Sequence, residues 1–370
     1  MYKTDEFGPE IIVELYDQRT GMHGVLVIDN TALGPGKGGA RMVPDLATVE
    51  VIELARAMTW KTSLAELPFG GAKSGIRADP KSPNKAELVR VFARRIKEFT
   101  PSLYIAGPDM YISEKEMAVI ADEIGPEACT GKPSFMGGLP HELGSAGFGV
   151  AWATKTAMDE LLGGIEGMTV AIEGFGNVGT FTMKFLTEFG AKVVAVSDSK
   201  GVILAKDGIN YEKLMEAKQK SGTVTAYTPG EVLPKEKLFE LDVDILIPGA
   251  RPNAINAENW EKVKARYISE AANIPIPIEI EKKLEDKGVV VLPDILVNSG
   301  GVISSYCETK NMTPDQMFDT VKYKIVKNTK TVLNKRSEHG YTRDAAMSIA
   351  KDRVVDAMVK RGWVKNNVDV

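Results

Sequence analysis

Apolar residues recur along this chain with two periods, that of a strand and that of a helix, and a glycine- and proline-rich passage separates two regions built from them. In the first region Val25-Leu26-Val27-Ile28 is an uninterrupted apolar run of strand length and predicts a buried strand. From Thr48 to Leu67 the residues Val51, Ile52, Leu54, Ala55 and Met58 return at helical spacing, and Pro68 with Gly70-Gly71 stops that helix. Residues 130–149 (TGKPSFMGGLPHELGSAGFG) fit neither period and read as a crossing between domains. Helical sequence follows over Val150–Leu162. Short apolar runs at Thr169–Ile172, Lys192–Val196, Asp244–Ile247, Tyr267–Ser269 and Val289–Leu292 then alternate with helical patterns, the signature of a parallel sheet built from βαβ units. Met312 to Trp363 is helical, opened by Thr313-Pro314-Asp315-Gln316: an N-cap, a proline at the first helical position and a glutamine placed to close a capping box.

The pattern predicts an α/β fold of two domains, and 370 residues exceed the usual single core. The expected division is a substrate-binding and oligomerisation domain over 1–135, completed by C-terminal helices over 335–370, and a Rossmann-like domain over 136–334. Charge adds mainly exclusions. With a net charge of −4 and both signs interspersed, neither nucleic acid nor an anionic membrane is the expected partner. The first residues lack the apolar core of a signal peptide, and no apolar stretch approaches the ~20 residues that span a bilayer, so the expected location is the cytoplasm. Cys129 and Cys307 read as unpaired thiols of a reducing compartment, and with only His23, His141 and His339 no protein-ligated metal is expected.

The clearest chemical motif is the run from Thr169 to Gly179, TVAIEGFGNVG, where an apolar strand enters Gly174, Gly176 and Gly179 and a helix pattern follows from Val178 to Phe189. Gly174 permits the tight turn, Gly176 lets backbone approach a pyrophosphate, and Gly179 lets helix pack on strand. The helix start at Asn177 and Val178 presents free N–H groups to phosphate. A second strand ending at Asp198 completes the context that a dinucleotide cradle requires. Asp198 suits the adenosine ribose hydroxyls of NAD, while the neighbouring Lys200 suits the 2′-phosphate of NADP. Both cofactors stay open, as does a turn-forming role for Asp198.

Three lysines of the first region occupy unusual settings: Lys37 in GPGKGGARM, Lys61 in MTWKTS and Lys73 in PFGGAKSG. Glycines around two of them let backbone and ligand come close. A lysine desolvated beside other cations gives up its proton more easily, which suits acid–base work near neutral pH. Asp109, in AGPDM, adds a carboxylate after a strand-like run.

In order and content GPGKGG, TWKTSL, PFGGAKSG, GPDM, TGKP, GFGNVG, EAAN at 270–273 and VNSGG at 297–301 make the chain resemble the glutamate/leucine/phenylalanine/valine dehydrogenase family from about Gly24 to about Glu308. The resemblance implies roles position by position. Lys73 matches the lysine that activates the attacking water, and Asp109 the carboxylate that shuttles a proton to and from the substrate amine. Lys61 matches the ligand of the α-carboxylate. Asn177 and Asn273 match cofactor contacts, and Asn298 a residue where nicotinamide and substrate meet. Lys37 and Ser305 stand where glutamate-specific members bind the side-chain carboxylate and where leucine or phenylalanine enzymes carry apolar residues. A buried cation facing an apolar substrate is left unpaired, so an acidic substrate is implied. Ser74 and Ala146 depart from the family's usual glycine and threonine.

The resemblance therefore implies reversible oxidation of glutamate to 2-oxoglutarate and ammonium with NAD or NADP, in a cleft that closes between the domains. It also implies a homo-oligomer, a hexamer if the chain follows the glutamate members and an octamer if it follows the leucine members. A branched-chain or aromatic amino-acid dehydrogenase, and a non-catalytic nucleotide-binding protein of the same fold, are the alternatives.

Overall fold

The computed structural model describes residue 2 and residues 4–364, which fold into two compact α/β units. The chain passes between them after Leu143, Gly301, Met317 and Ala346. In chain order the elements up to the first passage are β1 (Ile11–Asp17), β2 (Met22–Asn30), β3 (Gly36–Met42), α1 (Thr48–Leu64), β4 (Gly70–Ile76), α2 (Lys85–Ile96), β5 (Tyr104–Gly107) and α3 (Glu114–Ile124). Their sheet has the order β1-β2-β4-β3-β5, antiparallel at β1/β2 and β2/β4 and parallel at β4/β3 and β3/β5.

The run Val25–Ile28 is continuously apolar because β2 is covered on both faces. Val25 and Val27 pack with Leu46, Val51 and Ala55 on the α1 side. Leu26 and Ile28 pack with Phe92 and Ile96 of α2 and with Met117 and Ile120 of α3. Each such side chain contributes about 1.5–3 kcal/mol on full burial. Two strands run through sequence that the apolar pattern leaves unassigned: β3 and β4 are the glycine-rich segments GKGGARM and GGAKSGI. Glycine is ordinarily poor in strands. Here it permits approaches that no side chain tolerates: a Cβ on Gly38 would lie 1.6 Å from the Ala72 carbonyl oxygen, and one on Gly71 would lie 2.1 Å from Thr59 Oγ1 in α1. Helix α1 ends at Leu64 rather than Leu67, where the Ala65 and Leu67 N–H groups close on the Lys61 and Thr62 carbonyls and Glu66 turns to a φ of 55°.

The second unit holds α4 (Ser145–Leu162), β6 (Thr169–Glu173), α5 (Asn177–Glu188), β7 (Lys192–Ser197), β8 (Val202–Leu204), α6 (Tyr211–Ser221), β9 (Glu231–Leu233), β10 (Ile245–Pro248), β11 (Tyr267–Ser269), α7 (Ile278–Asp286), β12 (Val290–Leu292) and α8 (Asp294–Val297). Its sheet has the order β12-β11-β10-β6-β7-β8-β9. The five strands expected from apolar runs, β6, β7, β10, β11 and β12, form its parallel part. Strands β8 and β9 extend it antiparallel and are too short for periodicity to reveal. The chain continues through α9 (Gly300–Thr309), α10 (Pro314–His339) and α11 (Thr342–Lys360). At the start of α10 the Thr313 N–H donates to Gln316 Oε1 at 2.9 Å and the Gln316 N–H to Thr313 Oγ1 at 3.3 Å, forming the capping box.

Buried charges lie within each unit so divided. Residues Val302–Met317, inside the range 136–334 expected for the second domain, cluster with the first unit. There Glu308 accepts the N–H groups of Gly131 (2.8 Å) and Leu139 (2.7 Å) and pairs with Lys132 at 2.5 Å. Residues 335–346, expected with the first domain, stay with the second, where Arg343 is buried among Glu270, Glu281 and Asp294. The first unit resumes at Met347, with Arg353 donating to the Ser63 and Leu64 carbonyls at 3.0 and 2.8 Å. Cys129 and Cys307 are buried, and no disulfide joins them. Among the described residues no helix is long and apolar enough to cross a membrane.

The close approach at β3 makes a prediction. Gly38→Ala forces a methyl against the Ala72 carbonyl and should lower unfolding free energy by about 1–3 kcal/mol, the usual cost of overpacking. Urea denaturation measures it; a midpoint equal to wild type would show that β3 and β4 are not packed this closely.

Candidate active site

Strands β3, β4 and β5 bring the chemistry of the first unit together. Lys73, on β4, pairs through Nζ with Asp109 Oδ2 at 2.7 Å, just beyond the end of β5. Arg41, on β3, donates from Nε to the same oxygen at 2.8 Å and reaches Glu50 with Nη1 at 2.5 Å. The three side chains are largely buried. Burial alone would raise the Asp109 carboxyl, but the adjacent Lys73 and Arg41 charges outweigh it and hold it at about 2. Asp109 is therefore ionised throughout the neutral range. Gly39 makes room for it, since a Cβ there would lie 2.7 Å from the Asp109 Cβ. Ser74, the departure noted beside Lys73, is fully buried and lies 2.8 Å from the Tyr104 hydroxyl, which donates onward to the Gly38 carbonyl at 3.1 Å. The serine thus ties β4 to β5 and β3.

Lys37 is 2% exposed. Its ammonium donates to the Ala106 carbonyl at 2.7 Å and to the Ile105 carbonyl at 3.3 Å, with no ion-pair partner among the described residues. Burial pushes it down from the ordinary 10.5 to about 7, a fall that the attraction of Glu308 only partly opposes. Glu308 is itself occupied by Lys132 and two backbone N–H groups. A Cβ on Gly107 would stand 2.7 Å from Lys37 Nζ, so glycine keeps the space beside the cation. Ser305 lies on α9 one turn before Glu308, in the same unit as Lys37. Lys61 is half-buried in the last turn of α1.

In the second unit the glycine turn lines a cleft of about 970 Å³. Gly174 has a φ of 85°, and a Cβ on it would meet Ala250 at 2.9 Å. A Cβ on Gly179 would lie 1.9 Å from the Gly174 carbonyl oxygen, so helix α5 packs directly on the turn. A Cβ on Gly176 meets nothing within 4 Å: it would project into open space, where a diphosphate needs bare backbone. Asn177 and Val178 open α5 with N–H groups that have no intrahelical acceptor. These features fit a dinucleotide.

Asp198 lines the cleft but is committed to its loop. Its carboxylate accepts the N–H groups of Lys200 (2.8 Å) and Val224 (2.7 Å) and the Thr223 hydroxyl (3.2 Å). Of the roles left open for it, the turn-forming one is visible. Lys218 lies beside it and donates to the Phe175 carbonyl. Asn298 caps α8 and donates through its amide to the Ala271 and Ala272 carbonyls (3.3 and 3.1 Å) and to Asn273 Oδ1 (3.1 Å).

Sequence reasoning passed over Arg41, Lys132 and Glu308. Arg41 and Lys132 stand inside the quoted GPGKGGARM and TGKP motifs, and an arginine two residues past a glycine pair was the available signal. Glu308 had none, because its partners are distant in the chain.

Comparison with known proteins is consistent along the chain. Residues 10–125 match the model described as Glu/Leu/Phe/Val dehydrogenase, dimerisation domain, and residues 137–362 that described as Glutamate/Leucine/Phenylalanine/Valine dehydrogenase. A glutamate dehydrogenase of Aeropyrum pernix is 44% identical, over 90% of this chain and 85% of its own. An NADP-specific glutamate dehydrogenase of Saccharolobus shibatae is 40% identical, over 96% and 90%. The structure resembles a hetero-hexameric glutamate dehydrogenase from Thermus thermophilus, with TM-score 0.86 and 29% identity over 96% of this chain and 90% of that one. The ordered motifs, the glycine cradle, the paired Lys73 and Asp109 and matches spanning both units together place the chain in the glutamate/leucine/phenylalanine/valine dehydrogenase family.

Proposed function

We propose that the protein catalyses the reversible NAD(P)-dependent oxidative deamination of L-glutamate to 2-oxoglutarate and ammonium. One observation carries the choice of substrate: Lys37 is a buried cation whose hydrogen-bond partners among the described residues are two backbone carbonyls. An ammonium out of water without a counter-ion is costly, and a substrate side-chain carboxylate supplies one. The names of the relatives agree with this.

Bound nicotinamide supplies the hydride acceptor. Lys61 holds the substrate α-carboxylate, and Lys37 with Ser305 holds the side-chain carboxylate, so Cα is fixed at two ends. Asp109, ionised in the free site, accepts the proton lost by the amine as the iminium forms. Lys73 and Arg41 are what depress its basicity, so its basicity rises when the incoming substrate carboxylate draws the Lys73 ammonium toward itself. Lys73 then orients water against the iminium carbon, the proton released by that water passes to the adduct's nitrogen, and the carbinolamine collapses to the oxo acid and ammonium. Asn177, Val178 and the glycines of the turn bind the diphosphate, Asp198 shapes the adenosine end, and Asn273 and Asn298 face the nicotinamide end. The dimerisation-domain match supports a homo-oligomer and the hexameric state named for the Thermus thermophilus structure supports six subunits, while two buried thiols without a disulfide suit the cytoplasm.

Two variants test the chemistry. Lys73→Ala should lower kcat by about 10²–10⁴-fold while cofactor affinity stays near wild type. Asp109→Asn keeps the shape but carries no proton, and should cost nearly as much. Retention of more than about a tenth of kcat in either removes that residue from the reaction.

Lys37 makes a double prediction. Its folded value near 7 lies below the unfolded 10.5, so its burial costs stability in full below pH 7, and the cost fades as pH rises toward 10.5. Lys37→Met should therefore raise the melting temperature, more at pH 6 than at pH 9. The same change combined with Ser305→Val should cost glutamate about 2–4 kcal/mol in kcat/KM, roughly 30- to 1000-fold, and favour leucine or norvaline. A more stable variant that still prefers glutamate would show that the cation serves neither substrate nor fold.

A further inference from the structure

Behind the turn that carries Asn273 and Asn298, four charged side chains are buried together. Arg343, in the first turn of α11, donates from Nε to Glu281 Oε2 and Oε1 at 2.6 and 2.9 Å. Its Nη2 donates to Glu270 Oε2 at 2.8 Å and to Asp294 Oδ1 at 2.9 Å. Exposure is 8% for Arg343, 0% for Glu270, 3% for Glu281 and 4% for Asp294. One guanidinium thus bonds to three carboxyl groups. Glu270 Oε1 has no donor among the described residues. Burial and then the charge of Glu281 push the Glu270 carboxyl well up, and burial raises Glu281 as well. A proton held on Glu270 reduces the negative charge packed around the guanidinium.

The same groups fasten the backbone. The Asp294 N–H donates to Glu270 Oε2 at 2.9 Å, and Asp294 in turn accepts the Ile274 N–H at 2.9 Å and the Ile295 N–H at 2.8 Å. Ile274 has a φ of 48°, a left-handed conformation that a β-branched residue holds only under constraint. Segment 270–274 is therefore tied at both ends, and Asp294 opens the short helix that Asn298 caps. Asn298 then bonds back to Ala271, Ala272 and Asn273.

We propose that Arg343 is a positioning residue for the nicotinamide end of the cofactor site: its fork locks the Asn273 turn to the Asn298 helix, and Glu270 serves as the neutral, proton-bearing member of the cluster. The inference rests on the assignment of Asn273 and Asn298 as cofactor contacts. It asks for a fork and not merely a charge, because Nε and Nη2 hold different carboxyl groups in fixed directions.

Binding of NADH and NADPH, followed by nicotinamide fluorescence on the full chain, tests it together with the melting temperature and the KM for glutamate. Arg343→Lys keeps the cation and loses the fork. The dissociation constant of the preferred cofactor should rise at least about tenfold, with the glutamate KM within about threefold of wild type. Should that variant fail to fold, the charge-balanced pair Arg343→Gln with Glu281→Gln should show the same selective loss. Unchanged cofactor affinity in a folded variant overturns the proposal. Glu270→Gln replaces a neutral acid by a neutral amide and should melt within about 2 °C of wild type at pH 7, whereas a fall beyond about 5 °C overturns the neutral assignment. Asn273→Ala and Asn298→Ala separate this inference from the reading beneath it. Wild-type cofactor affinity in both sinks the residue assignment and the proposal with it. Weakened binding there, with normal binding in Arg343→Lys, sinks the proposal alone.

Discussion

The first unit is organised by positive charge taken out of water. Lys37, Arg41, Lys73 and Lys132 are all 8% exposed or less, and only some are balanced. Asp109 answers Lys73 and Arg41, and Glu308 answers Lys132. Lys37 is left to two carbonyls, and its ammonium is held only weakly against loss of the proton. A fold that keeps such a cation forgoes stability that an apolar residue would supply, and in the proposed reaction a carboxylate on the substrate would restore the balance. On the proposed reading, the protein's own electrostatics thus favour an acidic substrate.

Glycine makes this arrangement possible. Strands carrying three of these cations must lie close together, and Gly38, Gly39 and Gly107 remove the methyl groups that would strike Ala72, Asp109 and the Lys37 ammonium. The second unit uses glycine differently: at Gly176 the missing side chain leaves open space for a ligand instead of room for a neighbouring strand. One residue type therefore serves packing in one unit and access in the other.

Much of this was legible in the sequence. Apolar runs announced the parallel strands of the second unit, the glycine spacing announced its cradle, and Thr313 with Gln316 announced a helix start that both side chains cap. These signals are local, and local spacing preserves them. Strands β3 and β4 were not legible, because their stability comes from neighbours and their own residues disfavour strands. The grip of Glu308 on Gly131 and Leu139, the bonds of Asp198 to Thr223 and Val224 and the burial of Arg343 depend on long-range partners that no spacing encodes. Residues Val302–Met317 cluster with the first unit, where Glu308 pairs with Lys132, a contact between residues far apart in the chain.

The central claim, that an unpaired buried cation selects an acidic amino acid, is tested most directly by initial rates of the unaltered enzyme with glutamate, leucine, valine and norvaline, each with NAD and NADP. The account predicts a kcat/KM for glutamate at least about 30-fold above every apolar substrate, the lower end of what a buried charge pair is worth. Faster turnover of leucine or norvaline than of glutamate would contradict it.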